Sequence, residues 1–133
     1  MNTLNASPLL RRALLADGLV GLATGSLLVL LADWYANLLA LPADLLYGAG
    51  LALLPLGLFL AWLGCQERIN RLLVWAVIAI NALWAIDSLA LLFAGWVSPN
   101  LLGQVFVIGQ AALVLLFLEL ELIGLKRSEA VPV

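Results

Sequence analysis

Polar residues divide this chain into four long apolar runs, roughly Leu9–Leu31, Leu45–Gly64, Leu72–Trp96 and Leu101–Leu125. Each is near the ~20 residues an α-helix needs to cross ~30 Å of hydrocarbon, so the pattern predicts four membrane-spanning helices. Local signals mark their ends. Ser7-Pro8 and Ser98-Pro99 each offer an N-cap hydroxyl and a proline suited to a first turn, opening the first and fourth spans. Pro42 plays a similar part before the second span, and Gly64 followed by Cys65–Arg71 reads as a helix end and a short polar turn. The stretch from Tyr35 to Leu46 is too apolar for an open loop, so it either lies along the membrane surface or extends the first helix. The expected fold is all-α: a single integral membrane four-helix bundle over residues 1–127, running up-down-up-down. A short disordered tail is expected at 128–133.

Composition strengthens this picture. Of 133 residues, 65% are hydrophobic and 11% charged, against about 45–50% and about 25% in soluble domains. Arg11-Arg12 before an apolar run raises the possibility of a cleaved signal peptide, but a signal's apolar core spans only about 7–15 residues and rarely holds an acid such as Asp17. The run is therefore expected to remain as a helix. A single cysteine, Cys65, and the absence of histidine exclude an internal disulfide, dithiol redox chemistry, His-ligated haem, HExxH zinc and serine–histidine catalysis. No cofactor, no metal and no enzymatic activity are expected.

The six basic residues lie at the N-terminal flank of the first span (Arg11, Arg12), between the second and third (Arg68, Arg71) and after the fourth (Lys126, Arg127). By the positive-inside rule both termini are cytoplasmic. The net charge of −2 does not oppose this, because acids contribute little to topology. Trp34, Tyr35, Tyr47 and Trp96 would then form an aromatic belt on the outer side. The leucine- and alanine-rich, lysine-poor composition suits a multi-pass protein of a bacterial inner membrane.

Helices in lipid associate through close backbone approach and interhelical hydrogen bonds. Gly18, Gly21 and Gly25 share one sector of the first span, bordered by Asp17 and Thr24. Gly50, Gly57 and Gly64 repeat every seven residues along the second, a period that keeps one groove facing a left-handed crossing. On the fourth span Gly103, Phe106, Gln110, Val114, Phe117 and Glu121 form one stripe. These glycines read as packing positions, or as a seam between copies.

Chemistry concentrates on the third span. Asn81, Trp84 and Ser88 fall within about 60° of one another, with Asp87 about 60° beyond Trp84. Asp87 and Gln110 each lie fifteen residues from the same end of the bundle, so they should share a depth, with Thr24 lower. An aspartate near the bilayer centre costs about 2.5–3.5 kcal/mol on insertion, and none of the four runs holds a basic residue deep enough to pair it. Two roles follow for Asp87: a hydrogen-bonded clasp to Gln110, or a site for a proton or ligand. Asp17, Glu119 and Glu121, near Arg11, Arg12 and Arg127, read as an interfacial salt-bridge layer.

Two functions fit. One is a non-enzymatic homo-oligomer or accessory subunit of a membrane complex, with lipid and another membrane protein as partners and no nucleic acid. The other is a small transporter or lipophile-binding protein using the Asp87–Gln110 layer.

Overall fold

The computed structural model describes residues 3–131. The elements run β1 (Thr3–Asn5), α1 (Pro8–Leu30), α2 (Ala32–Leu39), α3 (Ala43–Gly64), β2 (Arg68–Asn70), α4 (Arg71–Phe93), α5 (Leu101–Lys126) and β3 (Glu129–Ala130). Of these, α1, α3, α4 and α5 are long and apolar enough to cross a membrane. The molecule is a mostly helical bundle with the architecture of a small integral membrane protein.

Polar side chains start three of the long helices. Ser7 Oγ accepts from the Leu10 N–H at 3.2 Å, with Pro8 opening α1. Asn70 Oδ1 accepts from Leu72 N–H at 2.9 Å to start α4. The fourth span departs from expectation: its N-cap is Asn100, two residues past Ser98, and Asn100 Oδ1 accepts from Gly103 N–H at 2.8 Å. Asn100 prevails because its amide also donates to Leu38 O at 2.9 Å, which ties α2 to the start of α5. The third span stops at Phe93 rather than Trp96, where the chain turns through Gly95 at φ 75°.

The stretch after the first span resolves as a separate helix. Leu31 breaks the helical path and Ala40 ends α2 in a left-handed conformation, φ 55°. Leu39 is buried, and its carbonyl oxygen accepts from Asn100 N–H at 3.2 Å.

At the opposite end, β1 pairs antiparallel with both β2 and β3, in the order β2-β1-β3. Leu4 and Ile69 face each other across the first pair, each 1% exposed, and join Leu10, Leu63 and Val74 in the core. The expectation of a disordered tail is corrected at its start: Glu129–Ala130 pair with Leu4–Asn5, and Val131 N–H donates to Thr3 O at 3.0 Å. The free edge of β1 supplies the ladder partners that keep this segment ordered. The final two positions of that tail, Pro132 and Val133, lie outside the described residues.

The closest backbone approaches among the long helices run in the order α3, α1, α5, α4; the two outer members meet through side chains, Leu60 and Leu63 with Val74 and Val77, in the core at the sheet end. The α1–α3 contact is backbone on backbone. A Cβ at Gly18 would lie 2.5 Å from Ala61 N and 2.7 Å from Gly57 O, and one at Gly57 would lie 2.9 Å from Gly18 O. Gly25 and Gly50 oppose each other in the same way, and a Cβ at Gly64 would lie 2.6 Å from Leu15 N, while Gly21 has ordinary clearance. A Cβ at Gly103 would run into the Leu39 carbonyl. Gly124, not singled out from sequence, seats α5 against Leu10, where a Cβ would lie 2.6 Å from Leu10 Cα. Ser7 Oγ secures that junction by donating to Gly124 O at 2.7 Å.

Gly57→Leu should force α1 from α3, because its side chain would meet backbone on both sides. Leu27→Phe, at a position 45% exposed, should be tolerated. Thermal unfolding in detergent checks the pair, and equal tolerance would show that the interface is not tight.

Candidate functional site

The polar residues inside the bundle form two layers, and α4 contributes to both. The layer nearer the chain termini is built around Asn81. Its Nδ2 donates to Asp17 Oδ2 of α1 at 3.1 Å and to Glu121 Oε1 of α5 at 2.8 Å. A carboxamide carries two N–H bonds, so one side chain can hold two acids on two other helices. Asn81, Asp17 and Glu121 are 5%, 8% and 0% exposed, and Glu121 Oε2 has no hydrogen-bond partner.

This arrangement corrects the expected salt-bridge layer. Arg11 does not pair with Asp17; it donates to Gly64 O at 3.4 Å and Cys65 O at 3.3 Å, placing its charge at the carbonyl end of α3. Asp17 sits nine residues into α1, about 14 Å along the helix at 1.5 Å per residue, which is deeper than the arginines' reach for the membrane surface. The sequence held a signal for this. Glu121 shares its stripe with Gln110, and Asp17 borders the glycine sector, so both faced inward. Glu119, off that stripe, is exposed.

The second layer lies toward the α2 end. Here the separation of α3 from α4 leaves a cavity of about 540 Å³. Thr24 of α1, Trp84, Asp87 and Ser88 of α4, and Gln110 of α5 line it, so five of the six polar positions singled out from sequence meet at one place. Asn81 does not join them. Asp44, Trp96 and Phe106 complete the polar and aromatic lining. Asp44 came from a segment whose path the sequence left open. Phe106 was legible as a member of the Gln110 stripe, and Tyr35 packs on it from α2, ring centroids 6.4 Å apart.

Asp87 and Gln110 share the cavity, but the bond joining α4 to α5 is made by Trp84, whose Nε1 donates to Gln110 Oε1 at 2.9 Å. Gln110 Nε2 donates to Val107 O at 2.9 Å, and Ser88 Oγ to Trp84 O at 2.7 Å. The side chain of Asp87 is exposed. The expected clasp of helices by a polar side chain is therefore built at Trp84 and at Asn81 instead. The first layer satisfies its donors internally; the second presents a carboxyl group, aromatic faces and apolar walls to an open volume. Among the described residues, no cluster of three or more acids, cysteines or histidines could ligate a metal.

No protein-family model, curated protein or solved structure matches this chain. Function has to be argued from these two layers.

Asn81→Leu would break two hydrogen bonds and leave both acids without a donor. Interhelical bonds in membrane bundles average about 0.6 kcal/mol, and a buried group left unpaired costs about 1–3 kcal/mol. The variant should therefore unfold at lower temperature than Trp84→Phe, which removes one bond. A larger loss from Trp84→Phe, measured by thermal unfolding in detergent, would refute the central role of Asn81.

Proposed function

We propose that this chain is a non-enzymatic integral membrane protein that binds a lipophilic molecule in the cavity between α3 and α4. The cavity itself carries the reading. Its volume of about 540 Å³ lies within the range of about 300–1,000 Å³ typical of small-molecule sites, and its lining is mostly apolar with a few polar groups to orient a ligand. Access between α3 and α4 at the end where they part suits a ligand that arrives through lipid.

The accessory-subunit reading has less support. The glycine faces that a partner helix would use are filled within the chain, α1 against α3. The orientation belongs to the proposal too. All six basic residues sit at the end of the bundle that carries the sheet, so that end faces the cytoplasm and the cavity lies toward the outer leaflet.

Gly48 lines the cavity, and a Cβ there would meet nothing within 4 Å. Gly48→Trp should therefore fill the space and leave the fold intact. Protein extracted in mild detergent should retain a stoichiometric lipophile by native mass spectrometry, and the variant should not. Retention unchanged in Gly48→Trp, or a stoichiometric protein partner with no lipophile at all, would overturn the proposal.

Orientation can be read from the chain's own thiol. Cys65 is exposed at the sheet end, so a membrane-impermeant maleimide should label it only after cells are opened. A Ser98→Cys variant in a Cys65→Ser background should label in intact cells. The reverse pattern would invert the topology.

A further inference from the structure

We infer that the occupant of the cavity is a lipophilic cation, a bulky apolar body bearing one amine- or onium-type charge; this rests on the reading of the cavity as a binding site. Three observations point there together. The lining includes two acids, Asp44 and Asp87, and no basic residue. The six lysine and arginine side chains belong to the opposite end of the bundle, so no cation of this chain faces either acid. The donors beside Asp87 are turned elsewhere: Trp84 N–H to Gln110, the Gln110 amide to Val107, and the Ser88 hydroxyl to Trp84.

Position adds to chemistry. Asp44 lies in the first turn of α3, at the rim, whereas Asp87 lies six residues inside the end of α4, about 9 Å from that end at 1.5 Å per residue. A cation drawn to the rim acid can then pass to the inner one. At that depth little water screens the attraction, and each acid is worth more to a ligand than at an aqueous surface. Trp84, Trp96 and Phe106 line the same space, and aromatic faces attract a cation whose charge is spread over an apolar surface. The apolar walls contributed by Leu28, Leu46, Leu53 and Val107 would accept its body. An anionic lipophile would meet two like charges with no lysine or arginine in the lining to offset them.

Equilibrium dialysis of the purified full chain in detergent, with tetraphenylphosphonium and neutral triphenylphosphine oxide as probes, tests this. Tetraphenylphosphonium should bind saturably, one per chain, and about tenfold or more tighter than the neutral probe, a gap of about 1.4 kcal/mol. Asp87→Asn should erase that preference and keep binding of the neutral probe, which also reports that the variant is folded; Asp44→Asn should reduce the preference in part. Gly48→Trp should abolish binding of both. Equal affinity for the two probes in wild type, with both lost in Gly48→Trp, would overturn the charge assignment while the cavity remains a lipophile site. A preference that survives both Asp87→Asn and Asp44→Asn would overturn it as well. Binding of neither probe, or binding untouched by Gly48→Trp, would overturn both the charge assignment and the site.

Discussion

With no side chain to separate them at Gly18, Gly57 and Gly64, α1 and α3 pack carbonyl against backbone, and that closeness decides where the other helices can go. Lipid offers no hydrophobic drive for two apolar helices to associate, so contact area and short approach have to supply it. Once α3 is seated along one side of α1, α5 takes another, with Gly124 against Leu10. Helix α4 then finds its place on α5, and it meets α3 through side chains at the sheet end, where Leu60 and Leu63 share a core with Val74 and Val77. Toward the other end the two part, and that opening is the cavity.

What confines that opening to one end is a single amide. Asn81 reaches across from α4 to Asp17 of α1 while holding Glu121 of α5. The short connection through β2 adds a covalent limit at the same end. Toward the α2 end no comparable tie draws α4 inward; Trp84 anchors it to α5 alone. One helix therefore serves two purposes a few residues apart. Asn81 spends its hydrogen bonds on structure, and Asp87 leaves its own free.

The spans, the glycine faces and the inward face of α4 could be read directly because each is a periodic property of one helix. Ser7-Pro8 could be read too, since an N-cap depends on neighbours in sequence. Asn100 could not, because its advantage over Ser98 includes a bond to Leu38, more than sixty residues away. The misplacement of Asp17 and Glu121 had a similar origin. Their wheel positions pointed inward, but nearness to Arg11, Arg12 and Arg127 in sequence outweighed that pattern. Depth along a helix and burial within the bundle are different coordinates, and only packing fixes the second. The cavity was legible only in part: Thr24, Trp84, Asp87, Ser88 and Gln110 marked its polar side, but Asp44 and Trp96 come from other segments, and a gap between helices leaves no trace in either one. Strands as short as β1, β2 and β3 are equally silent, since each acquires meaning only beside the others.

Those strands have a bearing on how the protein is made. β1 precedes all four long helices and β3 follows them, yet β1 pairs with both β2 and β3. During synthesis β1 can join β2 once the hairpin of α1 and α3 has been laid down, but its second edge must wait until all four spans have been threaded into the bilayer. Closure of the sheet therefore follows synthesis of all four long helices. A chain halted before α5 would expose the bare edge of β1 at the membrane surface, and an unpaired edge is a template for wrong pairings.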